Sequence, residues 1–355
     1  MLSALSDNRH TRLFFYPAVL LELKVSFRCI EPPVLRSIPQ FAGIVIHVQI
    51  DRFLSYSSEE NGIHAALLDG GGKDAAHIGI PPASRQGRLA YHITVYNDGQ
   101  LGDERDSIEA VQLGNLDFAI VNVSVLANFV PQLSVFDLPY VIQSTEHADK
   151  VFKGDVGDQM MEWISGIGVK GLGVWESGFR NLTNSVREVN SLEDVAGLRI
   201  RVMESELHQK LWIALGADAV PMAWGEAYTA LQQGALDGEE NPLTVILSNN
   251  VASVNEYLAM TEHVYSMVVP IMSQKLWDSM SDEDKAAMEE VMQEMMDRER
   301  EIARAQNDEA LGKLEEAGMK VSYPDKTAFI EATQSIRDEY GAEYADILEQ
   351  VNALA

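Results

Sequence analysis

The chain has 355 residues, 46% of them hydrophobic and 23% charged, which is too long for one small core and fits two α/β domains. That balance argues against a disordered or fibrous chain. Acidic residues outnumber basic ones by 54 to 27, a formal charge of -27 that repels phosphate backbones and argues against nucleic acid as the main partner.

Residues 1–86 carry no consistent period. Ile44–Ile50 can form a strand, but Gly70-Gly71-Gly72 and Ile80-Pro81-Pro82 interrupt the pattern. Leu13–Val25 is mostly apolar yet lacks the layout of an export signal. From Leu89 the text becomes regular. Tyr91–Tyr96 alternates as a strand does, Asn97-Asp98-Gly99 marks a turn, and Asp103–Leu113 predicts an amphipathic helix ending at Gly114. Leu116–Val123 predicts a short strand and Leu133–Ile142 an extended segment.

A second cycle follows. Val169–Trp175 predicts a buried strand, Ser191–Val195 a short helix, Leu198–Val202 a strand and Ser205–Leu215 a helix. Ala219–Pro221 is a brief strand, Gly225–Gln233 a helix ended by Gly234, and Gly238–Pro242 a loop. Strands alternating with helices at this pace imply mostly parallel sheets covered by helices. Ser281 is a helix N-cap followed by Asp282, Glu283 and Asp284, and the helical pattern runs on to Gly318. A helix that long in an α/β protein of two domains is expected to cross between them. Val321-Ser322-Tyr323 is a late strand, and helix resumes at Lys326.

Chemistry is sparse. Cys29 is the only cysteine, so there is no disulfide framework, cysteine metal site or CxxC pair. No run of 18 apolar residues spans a membrane. The nucleophile elbow, GxGxxG, Walker loop and HExxH are absent from the sequence, and His147, His208 and His263 stand far apart along it. No cofactor or metal is expected.

Four residues draw attention without settling a role. Arg201 ends the strand that begins at Leu198, beside the carboxyl edge of a sheet where open α/β folds bind ligands, and its planar fork suits a carboxylate. A surface pair with Glu204 or Glu206 is the alternative. Arg180 follows an apolar strand at Gly178-Phe179 and is otherwise a solvated cation; Asn241 precedes Pro242 and is either projected into a cleft or part of a turn. Trp224 is core or a cleft wall.

The ordered text resembles the solute-binding proteins of TRAP transporters, DctP type, from about Gly87 to the C-terminus. The matching pieces are Tyr96–Asp106 (YNDGQLGDERD), Gln112–Phe118 (QLGNLDF), Phe136–Tyr140 (FDLPY), Leu192–Val202 (LEDVAGLRIRV), Pro221–Gln232 (PMAWGEAYTALQ), Asp237–Pro242 (DGEENP) and Leu258–His263 (LAMTEH). The resemblance implies a two-domain, periplasmic-binding-protein-like (type II) α/β fold with a long helix spanning both domains. It implies domain I over 87–177 plus about 267–304, domain II over 178–266 plus about 305–355, and an atypical segment over 1–86.

It also implies function. The chain would be the extracytoplasmic, periplasmic subunit of a TRAP transporter, carrying out no reaction. It would capture a small organic acid (a dicarboxylate, sugar acid or keto acid) and pass it to the small and large membrane subunits. Arg201 falls on the family's carboxylate-binding arginine. Arg180, Asn241 and Trp224 fall on ligand-facing positions, and Glu104 and Asn122 on positions that face the cleft from domain I. A solute-binding protein of another transporter class, or a sensing domain of the same architecture, is the alternative, and an enzyme acting on an organic acid stands further off. Residues 1–86 match nothing in the family, and the abrupt gain of pattern at Gly87 prompts the hypothesis of a frameshift or misassigned start. Resequencing that returns the same frame, with a well-ordered N-terminal strand in the folded protein, would count against it.

Overall fold

The computed structural model describes residues 47–53, 76–79 and 90–96 as strands, and then everything from 99 to 355. The readings of Leu13–Val25, Cys29, the Gly70–Gly72 and Ile80–Pro82 breaks and Asn97-Asp98 lie outside the described residues.

The first three strands are β1 (His47–Phe53), β2 (Ala76–Gly79) and β3 (Ala90–Tyr96). Helix α1 (Glu104–Leu113) starts where Asp103 accepts a hydrogen bond from the Asp106 N–H. It stops at Gly114, whose φ of 70° places it in the left-handed region. β4 (Phe118–Asn122) leads into α2 (Val123–Leu126). The expected extension over 133–142 is instead a 3-10 helix, Pro131–Asp137, because Pro131 presets the first turn and Leu133, Val135 and Phe136 are all buried in the core. Helices α3 (Thr145–Phe152) and α4 (Asp155–Ser165) follow.

The single strand expected over 169–175 is two, β5 (Val169–Gly171) and β6 (Trp175–Asn184), parted at Gly173, whose φ is 118°. Then come β7 (Arg199–Val202), α5 (Glu206–Ala214), β8 (Asp218–Pro221) and α6 (Trp224–Gln232). Residues 238–242, expected as a loop, form the fully buried strand β9 (Gly238–Pro242), because they slot between β6 and β7. The remainder is α7 (Leu243–Ser248), β10 (Tyr257–Ala259), β11 (Tyr265–Ser273), α8 (Gln274–Ser279), α9 (Asp282–Glu316), β12 (Lys320–Ser322), α10 (Lys326–Ala332), α11 (Gln334–Glu343) and α12 (Ala345–Ala353).

The main strand order is β2-β3-β1-β4-β11-β6-β9-β7-β8, with β5 beside β11 and β10 between β6 and β12. The expectation of mostly parallel strands is corrected. Only β7–β8, β7–β9 and β10–β12 run parallel, and the other described pairs are antiparallel. The reason lies in two long strands shared by both halves of the sheet. β6 pairs with β11 over Trp175–Phe179 and with β9 over Arg180–Asn184, while β11 reaches on to β4. A chain that crosses and returns through the same middle has to run antiparallel to itself there.

Helix α9 ties the halves together. Val291, Met292 and Met296 pack with Phe118, Trp175 and Trp277 on one side, and Ala310 and Leu314 pack with Leu243, Ile246 and Leu258 on the other. Between them the helix buries charge. Arg300 and Arg304 both donate to Asp149 on α3, Arg304 Nε donates to Glu176 at 2.8 Å, and the Glu176 N–H donates to Glu299 at 2.9 Å. The tail touches both halves: His147 Nε2 lies 2.8 Å from the Val351 carbonyl on α12, and Lys210 of α5 pairs with Glu339 of α11 at 2.9 Å.

Candidate functional site

The middle of the sheet assembles the site. The antiparallel register of β6 on β9 sets Asn181 opposite Asn241 and Arg180 opposite Pro242. Arg180, 1% exposed, therefore reaches across its neighbour strand: Nε donates to Glu240 Oε2 at 2.5 Å, Nη2 to Glu240 Oε1 at 3.0 Å and to Asn241 Oδ1 at 2.9 Å. Its Nη1 donates to Ser266 Oγ on β11 at 3.2 Å. Asn122 Nδ2, at the end of β4, donates to the same oxygen at 3.2 Å, and the Asn122 N–H donates to Glu104 at 2.8 Å. Arg180, Asn241, Asn122 and Glu104 are thus one connected set, joined through Glu240 and Ser266.

Arg201 stands apart from that chain of bonds. It lies on β7, beside Val220 of β8 and Glu239 of β9, and is 4% exposed. Its Nε donates to the Met222 carbonyl at 2.8 Å, and its guanidinium carbon sits 5.2 Å from the centre of the Trp224 ring. Trp224, half-buried at the first turn of α6, is held in turn by Nε1 donating to Asn249 at 3.3 Å. No described residue accepts from Arg201 Nη1 or Nη2. The surface pair with Glu204 or Glu206 does not form. It is Arg199, on the outer side of β7, that makes the ordinary ion pair, with Asp237 at 2.5 Å.

The charges are strained by burial. Arg201 is held down to about 10 by desolvation, then by the like charge of Arg180, against the pull of Glu240, Glu239 and Glu104. Desolvation raises Glu104 to about 7, although the Asn122 N–H, Arg201 and Arg180 all favour its ionised form. Glu239 rises to about 7 for the same first reason, against hydrogen bonds from Asn241 and Thr183. Glu240 goes the other way, well below the usual carboxylate range, because Arg180, His208 and His263 together outweigh its burial. Arg180 is thus neutralised within the protein. Among the described residues no carboxylate sits on Nη1 or Nη2 of Arg201, which is an arrangement able to receive one more anion.

Sequence reading missed Glu240, the hub. One carboxylate among 54 acidic residues carries no mark of its own; its only signal was a place between Glu239 and Asn241 in a segment taken for a loop. His208 and His263 do not stand alone. His263 Nε2 lies 2.9 Å from Glu240 Oε2 and His208 Nδ1 lies 3.5 Å from Oε1. Among the described residues no cluster of His, Cys, Asp and Glu is set to hold a metal ion, and no helix is long and apolar enough to cross a membrane.

Comparison with known proteins gives the context. The pattern of the DctP family, described as bacterial extracellular solute-binding protein, family 7, matches residues 84–343. A solute-binding protein of Verminephrobacter eiseniae is 34% identical over 267 residues, covering 74% of this chain and 79% of that protein. The crystal structure of a TRAP periplasmic solute-binding protein from Polaromonas sp. JS666 bound to D-erythronate superposes with a TM-score of 0.70 at 35% identity, covering 72% of this chain and 85% of that one. A TRAP periplasmic solute-binding protein from Sulfurospirillum deleyianum with bound succinate gives 0.69 at 28% identity, covering 72% and 86%. The mixed α/β architecture with its long spanning helix is therefore the two-domain, periplasmic-binding-protein-like fold of these neighbours. By the extent of that match and the agreement in fold, the chain belongs to the DctP family of TRAP-type solute-binding proteins, whose relatives bind small organic acids.

Proposed function

We propose that this chain captures a small organic acid, with Arg201 taking the carboxylate in a bidentate pair, and delivers it to the small and large membrane subunits of a TRAP transporter in the periplasm. The observation that carries the reading is the state of Arg201: buried, seated over Trp224, fixed by one bond from Nε to Met222, and with both Nη groups uncommitted among the described residues. Arg180, tied to Glu240, orients Asn241 and is not the primary clamp. Glu104 and Asn122 would take hydroxyl or other polar groups at the far end of the ligand.

Domain I would comprise 87–177 plus about 267–304, and domain II 178–266 plus about 305–355. Closure about β6, β11 and α9 would then bring the two halves of the site together without any chemical step. A thermal-shift screen of the purified full chain against D-erythronate, D-galactonate, D-glucuronate, pyruvate and succinate tests this. A ligand of the native state raises the unfolding midpoint by mass action, and no shift with any organic acid would refute the reading.

A further inference from the structure

His208 sits on α5, in the half of the sheet that carries Arg201, yet its ring is wedged between a carboxylate from each half. Nε2 is 3.8 Å from Asp137 Oδ2, at the end of the Pro131–Asp137 helix, and Nδ1 is 3.5 Å from Glu240 Oε1 on β9. Ser124 Oγ on α2 lies 3.3 Å from Nε2. His208 and Asp137 are 0% and 1% exposed. Neither oxygen of Asp137 has a hydrogen-bond partner among the described residues, nor has His208 Nδ1.

An ionised carboxylate sealed away with only the Ser124 hydroxyl and the His208 ring near it is costly. Asp137 escapes that cost in one of two ways: it takes a proton itself, or it faces a protonated imidazole. Both leave one proton on the pair. The other cations nearby are engaged elsewhere. Arg180 is matched by Glu240, and His263 is turned to the same Glu240 through Nε2 and to Thr261 through Nδ1. Burial first of all pushes Asp137 above the usual carboxylate range, with Glu240 adding to it and His208, Ser124 and Arg180 opposing.

We infer that Asp137 and His208 form a proton-holding bridge between the two halves of the sheet, which retains one proton where the separated residues would hold none, and which seats Glu240 against Arg180. The bridge belongs to the ligand-free chain and does not depend on which acid is captured. In the unfolded chain above about pH 6.5 neither residue carries the proton. The folded pair carries it, so the bridge's stabilisation is complete below that pH and is lost as pH rises through the pair's own value.

Urea unfolding of the ligand-free full chain between about pH 6 and about pH 9 tests this, comparing wild type with Asp137→Asn and His208→Gln. The wild-type unfolding constant is expected to climb up to about tenfold per pH unit more steeply than that of either variant. Glu104, Glu239 and Glu299, also raised, add the same slope to all three proteins and cancel. Parallel curves would overturn the inference. If the variants do not fold, spectra of 15N-histidine-labelled wild type decide it: whichever partner holds the proton, the His208 ring signals should show no protonation change centred near about pH 6.5, and a change centred there overturns the bridge.

Discussion

Arg180 and Glu240 form a sealed ion pair in the middle of the sheet, with two N–H groups of the guanidinium on the two carboxylate oxygens at 2.5 and 3.0 Å and both side chains at or below 1% exposure. The pair joins β6, the strand shared by both halves, to β9, which leads into Asn241. Glu240→Gln leaves the guanidinium buried and uncompensated, a loss of about 3–5 kcal/mol for a broken buried pair. Urea denaturation of the ligand-free chain measures it. A loss within about 0.5 kcal/mol, as for a surface change, would contradict the sealed pair.

β9 depends on a missing side chain. A Cβ at Gly238 would lie 2.0 Å from the Thr183 carbonyl oxygen and 3.0 Å from Ile200 Cδ1. Gly238→Ala should therefore push β9 off β6, displacing Glu239, Glu240 and Asn241 together. The expected outcome is a destabilisation of about 3 kcal/mol or more, read by thermal or urea unfolding, whereas Gly312→Ala, with open space around its Cβ on α9, should be neutral or slightly stabilising.

The elements on either side of this strand were legible in the sequence for plain reasons. Asp103 and Gly114 mark both ends of α1, Ser281 opens α9, and the alternation of Leu198, Ile200 and Val202 identifies β7. β9 was not legible, because Gly-Glu-Glu-Asn-Pro has the composition of a turn; only its position between two other strands makes buried glutamates tolerable there. The same holds for the site. Arg201 and Trp224 carried a reading of their own, but Glu240, His208 and Asp137 meet through pairings more than 20 residues apart in sequence that no local pattern reports. The antiparallel middle of the sheet was likewise hidden, since the alternation of strands and helices does not reveal which strands serve two halves.

Glu299 is a buried carboxylate at which acid favours the folded state. Glu299, 6% exposed on α9, is raised to about 8 by desolvation, with Glu176 adding to the shift and the Glu176 N–H and both neighbouring arginines opposing it. The unfolded side chain ionises near pH 4.3. The folded state therefore binds the extra proton between those values, so the stabilisation from Glu299 is full below about pH 4.3 and is lost as pH rises to about 8. Glu299→Gln keeps an acceptor for the Glu176 N–H and removes the titration. The variant should be more stable than wild type near pH 8 by several kcal/mol, with the gap closing towards pH 5, as followed by urea unfolding across that range. A gap that does not change with pH would contradict the protonated Glu299.

Trp224 contributes to capture through Arg201. With the guanidinium carbon 5.2 Å from the ring centre, removing the ring loses about 1–2 kcal/mol of cation–π attraction and packing. Trp224→Ala should weaken organic-acid binding about 5- to 30-fold, and Trp224→Phe should recover most of it. Titration calorimetry with an acid identified by thermal shift measures both, and equal affinities for all three proteins would remove Trp224 from the site.

The central claim is that Arg201 holds the ligand's carboxylate with its fork and not merely with its charge. Arg201→Lys keeps the positive charge and loses the two parallel N–H donors. Isothermal titration of wild type and Arg201→Lys with the same acid is the most direct test. The expected result is a loss of about 30-fold or more in affinity, the equivalent of about 2 kcal/mol for a bidentate charge-assisted pair, with the unfolding curve of the ligand-free protein little changed. Equal binding by the two proteins would contradict it.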